Sequence, residues 1–205
     1  MKRLIAFVIL SFAIRHSANA AVIYSGLQNI SIPNTAGGIY VNLLTAATSS
    51  SEPGSITTAP WLFMSFGGSG IGSNPLVRTV VTGSVVAGAE QTENLSYGST
   101  VSSLSRFSVG DAGFNGSETH IGAAINQFQL GTQGYIGYEF TPTVGGQAYF
   151  GVARVTLAND GMSAVIHDWS YENTPGVAIA VPEPSRALLL LSGLLSLCLR
   201  RRRAR

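Results

Sequence analysis

The 205-residue chain contains a single cysteine, Cys198, and a single lysine, Lys2. One cysteine excludes a disulfide within the chain and any zinc site built on paired thiolates. Without a lysine after position 2, the run Gly68-Ser69-Gly70-Ile71-Gly72 cannot be a phosphate-cradling loop of the lysine type, and Pro75 follows where a helix would have to start. Charge is sparse as well. Only 11% of residues are Asp, Glu, Lys or Arg, against roughly 25% in ordinary soluble domains. The formal net charge of +2 averages unlike segments. Between Ala21 and Ala180 the bases are Arg78, Arg106 and Arg154, and the acids are Glu52, Glu90, Glu93, Asp111, Glu118, Glu139, Asp160, Asp168 and Glu172. The middle is therefore acidic, which argues against nucleic acid as a partner, because that class of binder neutralises phosphates with bases. A long apolar run is also missing. Ala187–Leu199 has thirteen residues, short of the roughly 20 that span a bilayer.

The bases absent from the middle are gathered at the two ends, and both ends read as addresses. Residues 1–20 form a secretory signal peptide: Lys2 and Arg3, the apolar stretch Leu4–Ile14, then Ala18-Asn19-Ala20 before Ala21 for signal peptidase. The competing reading, an N-terminal anchor, needs a longer apolar stretch than Leu4–Ile14 offers. At the other end, residues 181–185 read Val181-Pro182-Glu183-Pro184-Ser185. Pro182 and Pro184 keep that strip extended, the shape a processing enzyme's cleft holds. The apolar residues 187–199 follow as a short hydrophobic helix, and Arg200, Arg201, Arg202, Arg203 and Arg205 close the chain at 200–205. Such a helix is about 20 Å long at ~1.5 Å per residue. The arginines should stay on the cytoplasmic side, leaving the middle outside the cytoplasm. A plain tail anchor is the alternative, and thirteen residues make a poor permanent one. There is no cysteine just after the signal for a lipid, and no Leu-Pro-x-Thr-Gly sequence for a sortase.

A Pro-Glu-Pro motif, a short apolar helix and a terminal arginine cluster, in that order, resemble the PEP-CTERM sorting signal of bacterial exosortase substrates. The resemblance covers residues 181–205. Arg186 before the helix and Ala204-Arg205 after the arginine run depart from the usual pattern but remove no part of it. What the resemblance implies is recognition by an exosortase, transient residence in the inner membrane, cleavage near the motif, and delivery to the cell surface or extracellular matrix of a Gram-negative bacterium. Exopolysaccharide is the further partner it implies. Tail signals whose apolar segment is removed follow the same physical logic.

Residues 21–180 are rich in Gly, Ser and Thr and carry no long stretch at helical period. Short β-rich runs separated by Gly, Pro and Asn predict an all-β fold, an antiparallel β-sandwich of jelly-roll-like type. Strands are expected near Val22–Tyr24, Leu27–Ile32, Ile39–Leu44, Trp61–Phe66, Leu76–Val81 and Ile121–Leu130. The clearest signal is a three-strand meander of Tyr135–Phe140, Ala148–Leu157 and Met162–Tyr171. Its turns are Thr141–Gly146 and Asn159-Asp160-Gly161. Residues 47–59 and 67–75 are expected as exposed loops. Tyr24-Ser25-Gly26, Ile39-Tyr40-Val41-Asn42-Leu43, the aromatic strands Tyr135–Phe140 and Tyr149–Val155, and Tyr171–Gly176 also resemble segments of PEP-CTERM ectodomains. That second resemblance implies a β-sandwich and no particular activity.

Candidate chemistry in the middle is thin. His120 and His167, with Asp168, could hold a metal, but no ligand spacing recurs. A serine triad around His167 lacks a Gly-x-Ser-x-Gly elbow. Asp111–Glu118 spaces oxygen ligands alternately, as a calcium loop does, yet puts Gly113 where a side-chain ligand is wanted. Tyr135, Tyr138, Tyr149 and Trp169 could stack on sugar rings if exposed, or pack as core and cross-strand pairs. Asn29, Asn94 and Asn115 open N-glycosylation patterns that arise readily by chance. No catalytic residue, metal or cofactor is assigned. The expected function is that of an exported, non-catalytic envelope or matrix protein. The alternatives are a polysaccharide- or calcium-binding lectin-like module and, third, a hydrolase.

Overall fold

The computed structural model describes residues 21–74, 76–82, 90–108 and 115–182. The expected signal peptide with Ala18 and Ala20, the motif residues Glu183 and Pro184, the expected hydrophobic helix at 187–199 and the arginine cluster lie outside the described residues, as do residues 111–114 of the calcium-like loop. Among the described residues no helix is long and apolar enough to cross a membrane.

The described chain is all-β. In chain order its strands are β1 (Val22–Tyr24), β2 (Ile30–Ile32), β3 (Ile39–Asn42), β4 (Thr48–Ser49), β5 (Trp61–Ser65), β6 (Gly70–Ser73), β7 (Val77–Thr79), β8 (Val81–Thr82), β9 (Gln91–Thr92), β10 (Thr100–Val101), β11 (Asn115–Thr119), β12 (Gln133–Phe140), β13 (Tyr149–Leu157), β14 (Ala164–Glu172) and β15 (Ile179–Ala180). One sheet runs β1-β14-β13-β12-β7, with β2 also on β14. A second runs β4-β3-β5-β6-β11-β9-β8, and β10 pairs with β15 apart from both. Among the described residues every strand pairing is antiparallel except that of β11 with β9.

The meander forms where its turn chemistry places it. β12 pairs with β13 from Gln133↔Thr156 to Phe140↔Tyr149. β13 pairs with β14 from Gly151↔Tyr171 to Leu157↔Ala164. At the second turn Gly161 takes φ +64°, and the Asp160 carboxylate accepts hydrogen bonds from the Met162 and Ser163 amides. Those bonds hold its pKa below the usual carboxylate value.

Alternation then divides the meander's side chains between two faces. On one face Ile136, Tyr138 and Phe140 meet Ala153, Val155, Ile166 and Trp169, and the same cluster takes in Val41, Leu62, Met64 and Ile71 from the second sheet. Residues from both large sheets therefore share one apolar core, at about 1.5–3 kcal/mol for each large side chain withdrawn from water. The Trp169 indole N–H crosses the cluster to the Leu43 carbonyl at 2.9 Å. Tyr138 is fully buried, donates to the Ser170 carbonyl at 3.1 Å, and has its pKa pushed well up by desolvation. On the opposite face Tyr135, Phe150 and Val152 are covered by Val80, Val101, Ile179 and Val181. Gly137 lets that cover settle: a Cβ there would lie 2.6 Å from Leu95 and 2.8 Å from Val80 and Val101. Val181 belongs to this cluster, its amide bonded to the Ser99 carbonyl, and the chain emerges to solvent at Pro182.

Two expectations are corrected. Residues 67–74 are not an exposed loop. Gly67 and Gly68, at φ +64° and +87°, turn the chain tightly against the β13–β14 hairpin. β6 then runs on with Ile71 fully buried, and Gly72 leaves room for the Phe63 ring of β5, which a Cβ would meet at 2.6 Å. Ile121–Leu130 is not a strand. The Gln127 side-chain oxygen accepts the Ala124 amide and closes a turn, so Ile125 is exposed and Phe128 is the buried residue of the segment.

Candidate functional site

The most organised polar surface lies on the outer face of the meander, and a β-bulge creates it. Arg154 pairs with Asp168, yet the next residue, Val155, pairs with Ile166. His167 is the extra residue. With it inserted, Ile166 and Trp169 both point to the core, while His167 and Asp168 both reach β13 side chains on the other face. Bulges re-aim side chains in this way and are frequent at functional sites. The link between β1 and β2 wraps the bulge: the Gln28 and Asn29 amides both bond to the His167 carbonyl. Ser25 Oγ accepts the Trp169 amide at 2.9 Å.

From this bulge a row of side chains crosses the sheet. The Tyr24 hydroxyl donates to Asp168 Oδ2 at 2.9 Å. Arg154 donates from Nε to Asp168 Oδ1 at 3.1 Å and from Nη2 to Asp168 Oδ2. Arg154 Nη1 donates to Gln133 Oε1 at 3.1 Å, and Gln133 Nε2 donates to the Tyr135 hydroxyl at 2.9 Å. Tyr97 closes the row, its ring 5.5 Å from that of Tyr135 in an edge arrangement. The row runs from β1 through β14 and β13 to β12. Its two end tyrosines are the exposed ones, Tyr24 at 58% and Tyr97 at 50%.

The electrostatics follow from the bonds. The bond to Asp168 raises the Arg154 pKa. Desolvation, then the Asp168 hydrogen bond, raises that of Tyr24, and desolvation raises Tyr135. Desolvation, then the nearby Arg154 charge, lowers that of His167. Asn29 Oδ1, which can only accept, lies 3.0 Å from His167 Nδ1, so Nδ1 carries the proton. Nε2 therefore accepts from the Thr156 hydroxyl at 2.9 Å. Hydroxyl, imidazole and orienting group stand in the order of a hydrolytic triad. Two features oppose that chemistry. The neutral Asn29 cannot stabilise an imidazolium as a carboxylate does. Thr156 also lies mid-sheet, where pairing with Gln133 and Val165 engages the backbone groups that an oxyanion hole would need.

Away from this row, a cleft of about 280 Å³ is lined by Leu76, Arg78, Glu139, Phe140, Thr141, Gly146 and Ala148. Arg78 and Glu139 form an ion pair there, and the guanidinium also lies 5.9 Å from the Phe107 ring centre. Both charges have partners within the protein.

The residues singled out from the sequence are placed as follows. Trp169 and Tyr138 lie in the core, 2% and 0% exposed, so their rings are not available as a sugar platform. Tyr149 is half-buried and stacks on Phe140 at 5.5 Å. Tyr135 is buried, 8% exposed, within the row. The expected quartet does not form one exposed face, because the shared core takes Tyr138 and Trp169 and the cover of Val80, Val101 and Ile179 takes Tyr135. His120 and His167 have separate partners: Gln127 Nε2 donates to His120 Nε2 at 2.8 Å, and His120 Nδ1 is buried without a hydrogen bond. Among the described residues no three His, Cys, Asp or Glu side chains converge as a metal site would require. Residues 115–118 of the calcium-like loop belong to β11. Asn94 is structural, accepting the Tyr135 amide and donating to the Gln127 carbonyl.

Tyr24, Tyr97, Gln133 and Arg154 were not anticipated. One signal was available: Arg154 is among only three bases between Ala21 and Ala180. Comparison with protein-family models, curated proteins and solved structures finds no match to this chain.

Proposed function

We propose that this chain is the precursor of an exported, exosortase-sorted protein of the cell envelope or extracellular matrix of a Gram-negative bacterium. Residues 1–20 direct export and are removed. Residues 181–205 hold the precursor in the inner membrane and present Pro182-Glu183-Pro184 to the exosortase. The all-β domain between them, a jelly-roll-like sandwich in this reading, acts non-catalytically outside the cytoplasm among exopolysaccharide. The carrying observation is the order of Pro182-Glu183-Pro184, the apolar run 187–199 and the arginines of 200–205, together with the basic, apolar and Ala-x-Ala pattern of residues 1–20. The core shared by the two large sheets supports the sandwich. The mid-sheet position of Thr156, whose neighbours Gln133 and Val165 engage the backbone that an oxyanion hole would need, supports the non-catalytic role.

The test is the intact mass of the protein from its native host, with and without the exosortase. The expected result is loss of residues 1–20 in both strains and loss of the segment beyond about Pro184 only where the exosortase is present. Retention of Arg205 in both strains would overturn the sorting reading.

A further inference from the structure

We infer that the row on the outer face of the meander is a binding site for a neutral oligosaccharide, presented by Tyr24, Arg154, Gln133 and Tyr97 and braced from beneath by the buried Asp168 and Tyr135. The observation behind it is a set of planar polar groups, fixed by one another, between two exposed tyrosine rings. Sugar rings present two chemistries at once: apolar C–H faces and pairs of neighbouring hydroxyls. Tyrosine faces suit the first, and guanidinium, carboxamide and carboxylate groups suit the second, since each offers paired donors or acceptors in one plane.

The hydrogen-bond inventory leaves capacity for a ligand. Arg154 has five N–H groups and directs three of them to Asp168 and Gln133. Gln133 has two N–H groups and directs one to Tyr135. The Tyr24 hydroxyl donates to Asp168 and keeps its acceptor capacity. Each group is already locked by its neighbour, so little side-chain freedom remains to be lost on binding. Tyr24 is 58% exposed although its hydroxyl is tied down, which makes it a fixed platform rather than a mobile side chain.

Size and charge narrow the ligand. Tyr24 on β1 and Gln133 on β12 are separated by β14 and β13, three strand spacings or about 14 Å. That length suits an oligosaccharide of several units and exceeds a single sugar. The Arg154 and Asp168 charges cancel within the row. The nine carboxylates against three arginines between Ala21 and Ala180 would repel a polyanion. Neutral glycans therefore fit better than uronate or phosphate polymers. This inference leans on the proposed function only in that an exported domain would meet polysaccharide. Binding to the purified chain is independent of how the chain is sorted, so failure here would leave the mass experiment untouched, and the reverse.

The test is titration calorimetry of the full chain in mild detergent with three hexasaccharides: β-linked glucose, β-linked N-acetylglucosamine and a uronate. The expected result is saturable binding of a neutral hexamer and none of the uronate. Tyr24→Ala with Tyr97→Ala should weaken it at least tenfold, while Tyr24→Phe with Tyr97→Phe, which keeps the rings, should retain most of it. Both tyrosines are surface residues, and an unchanged urea midpoint would show that the variants are folded. Failure of both neutral hexamers to bind, preference for the uronate, or affinity unchanged in the alanine variant would each overturn the inference.

Discussion

Replacing Trp169 by Phe tests the way the two large sheets are joined. Trp169 is 2% exposed, and its indole N–H donates to the Leu43 carbonyl at 2.9 Å across the shared core. Phenylalanine keeps an aromatic ring but removes the donor and part of the ring volume. Depriving a buried carbonyl of its donor costs about 1–3 kcal/mol. The void left by the smaller ring adds roughly 1 kcal/mol. The expected destabilisation is about 2–4 kcal/mol, a large share of the ~5–15 kcal/mol that holds a domain together. With a urea slope of about 2 kcal/mol per molar, the middle of the usual range, the midpoint should fall by roughly 1–2 M. The chain has two tryptophans, so the variant keeps Trp61, buried in β5 of the other sheet, as its reporter. Trp61 fluorescence and far-ultraviolet dichroism should lose signal together. A midpoint shift below about 0.3 M, the behaviour of a surface substitution, would refute the core placement. Loss of saccharide affinity at unchanged stability would instead return Trp169 to the surface as a stacking platform.

Other perturbations probe the cover, the bulge and the row. Gly137→Ala puts a methyl 2.6 Å from Leu95 and 2.8 Å from Val80 and Val101. It should cost about 1–3 kcal/mol through overpacking, read as a lower melting temperature by calorimetry, and an unchanged melt would mean that the cover does not lie on β12. Arg154→Met strands the Asp168 carboxylate, whose side chain is 10% exposed. The expected loss is about 2–3 kcal/mol, below the ~3–5 kcal/mol of a fully buried pair. Adding Asp168→Leu should recover part of it, and strictly additive losses would refute the coupling. The depressed His167 pKa means that the folded state favours neutral imidazole. That stability is complete above the unfolded value of about 6.5 and is lost as pH falls through the lower folded value. Urea midpoints from pH 8 to pH 5 should therefore decline more in the parent than in His167→Gln, and parallel curves would remove His167 as the cause.

What could be read ahead of the structure follows from the range of the forces involved. The meander was legible because its signals are local: alternation in Tyr135–Phe140 and an Asp-Gly turn at Asp160. The glycine run at 67–72 misled because composition alone does not separate a flexible loop from a strand whose glycines make room for its neighbour's rings. Here Phe63 of β5 occupies that room. Ile121–Leu130 misled in the opposite sense, since its apolar content resembles a strand while a turn capped by Gln127 leaves Ile125 exposed. The aromatic quartet failed as a surface because alternation gives the face of a residue but not what covers that face. Tyr135 is hidden by segments distant in sequence, Val80, Val101 and Ile179.

The bulge is the one feature of the site that the sequence does write down. Along β14 the residues packed in or against the shared core are Ala164, Ile166, Trp169 and Tyr171. The spacing is two, then three, then two. A strand that keeps strict alternation cannot send both Ile166 and Trp169 inward, so one extra residue must be accommodated between them. The apolar requirement on the core side thereby fixes the polar geometry on the other side. Because His167 is inserted, Asp168 stands opposite Arg154, and the ion pair sits at the centre of the row between Tyr24 and Tyr97. The same insertion interrupts the edge strand, so β1 and β2 pair with β14 on either side of it. The ends of that interruption set both Tyr24 beside Asp168 and Asn29 beside His167. Core packing and surface chemistry are thus set by one irregularity, and a substitution that restored regular pairing would have to disturb both.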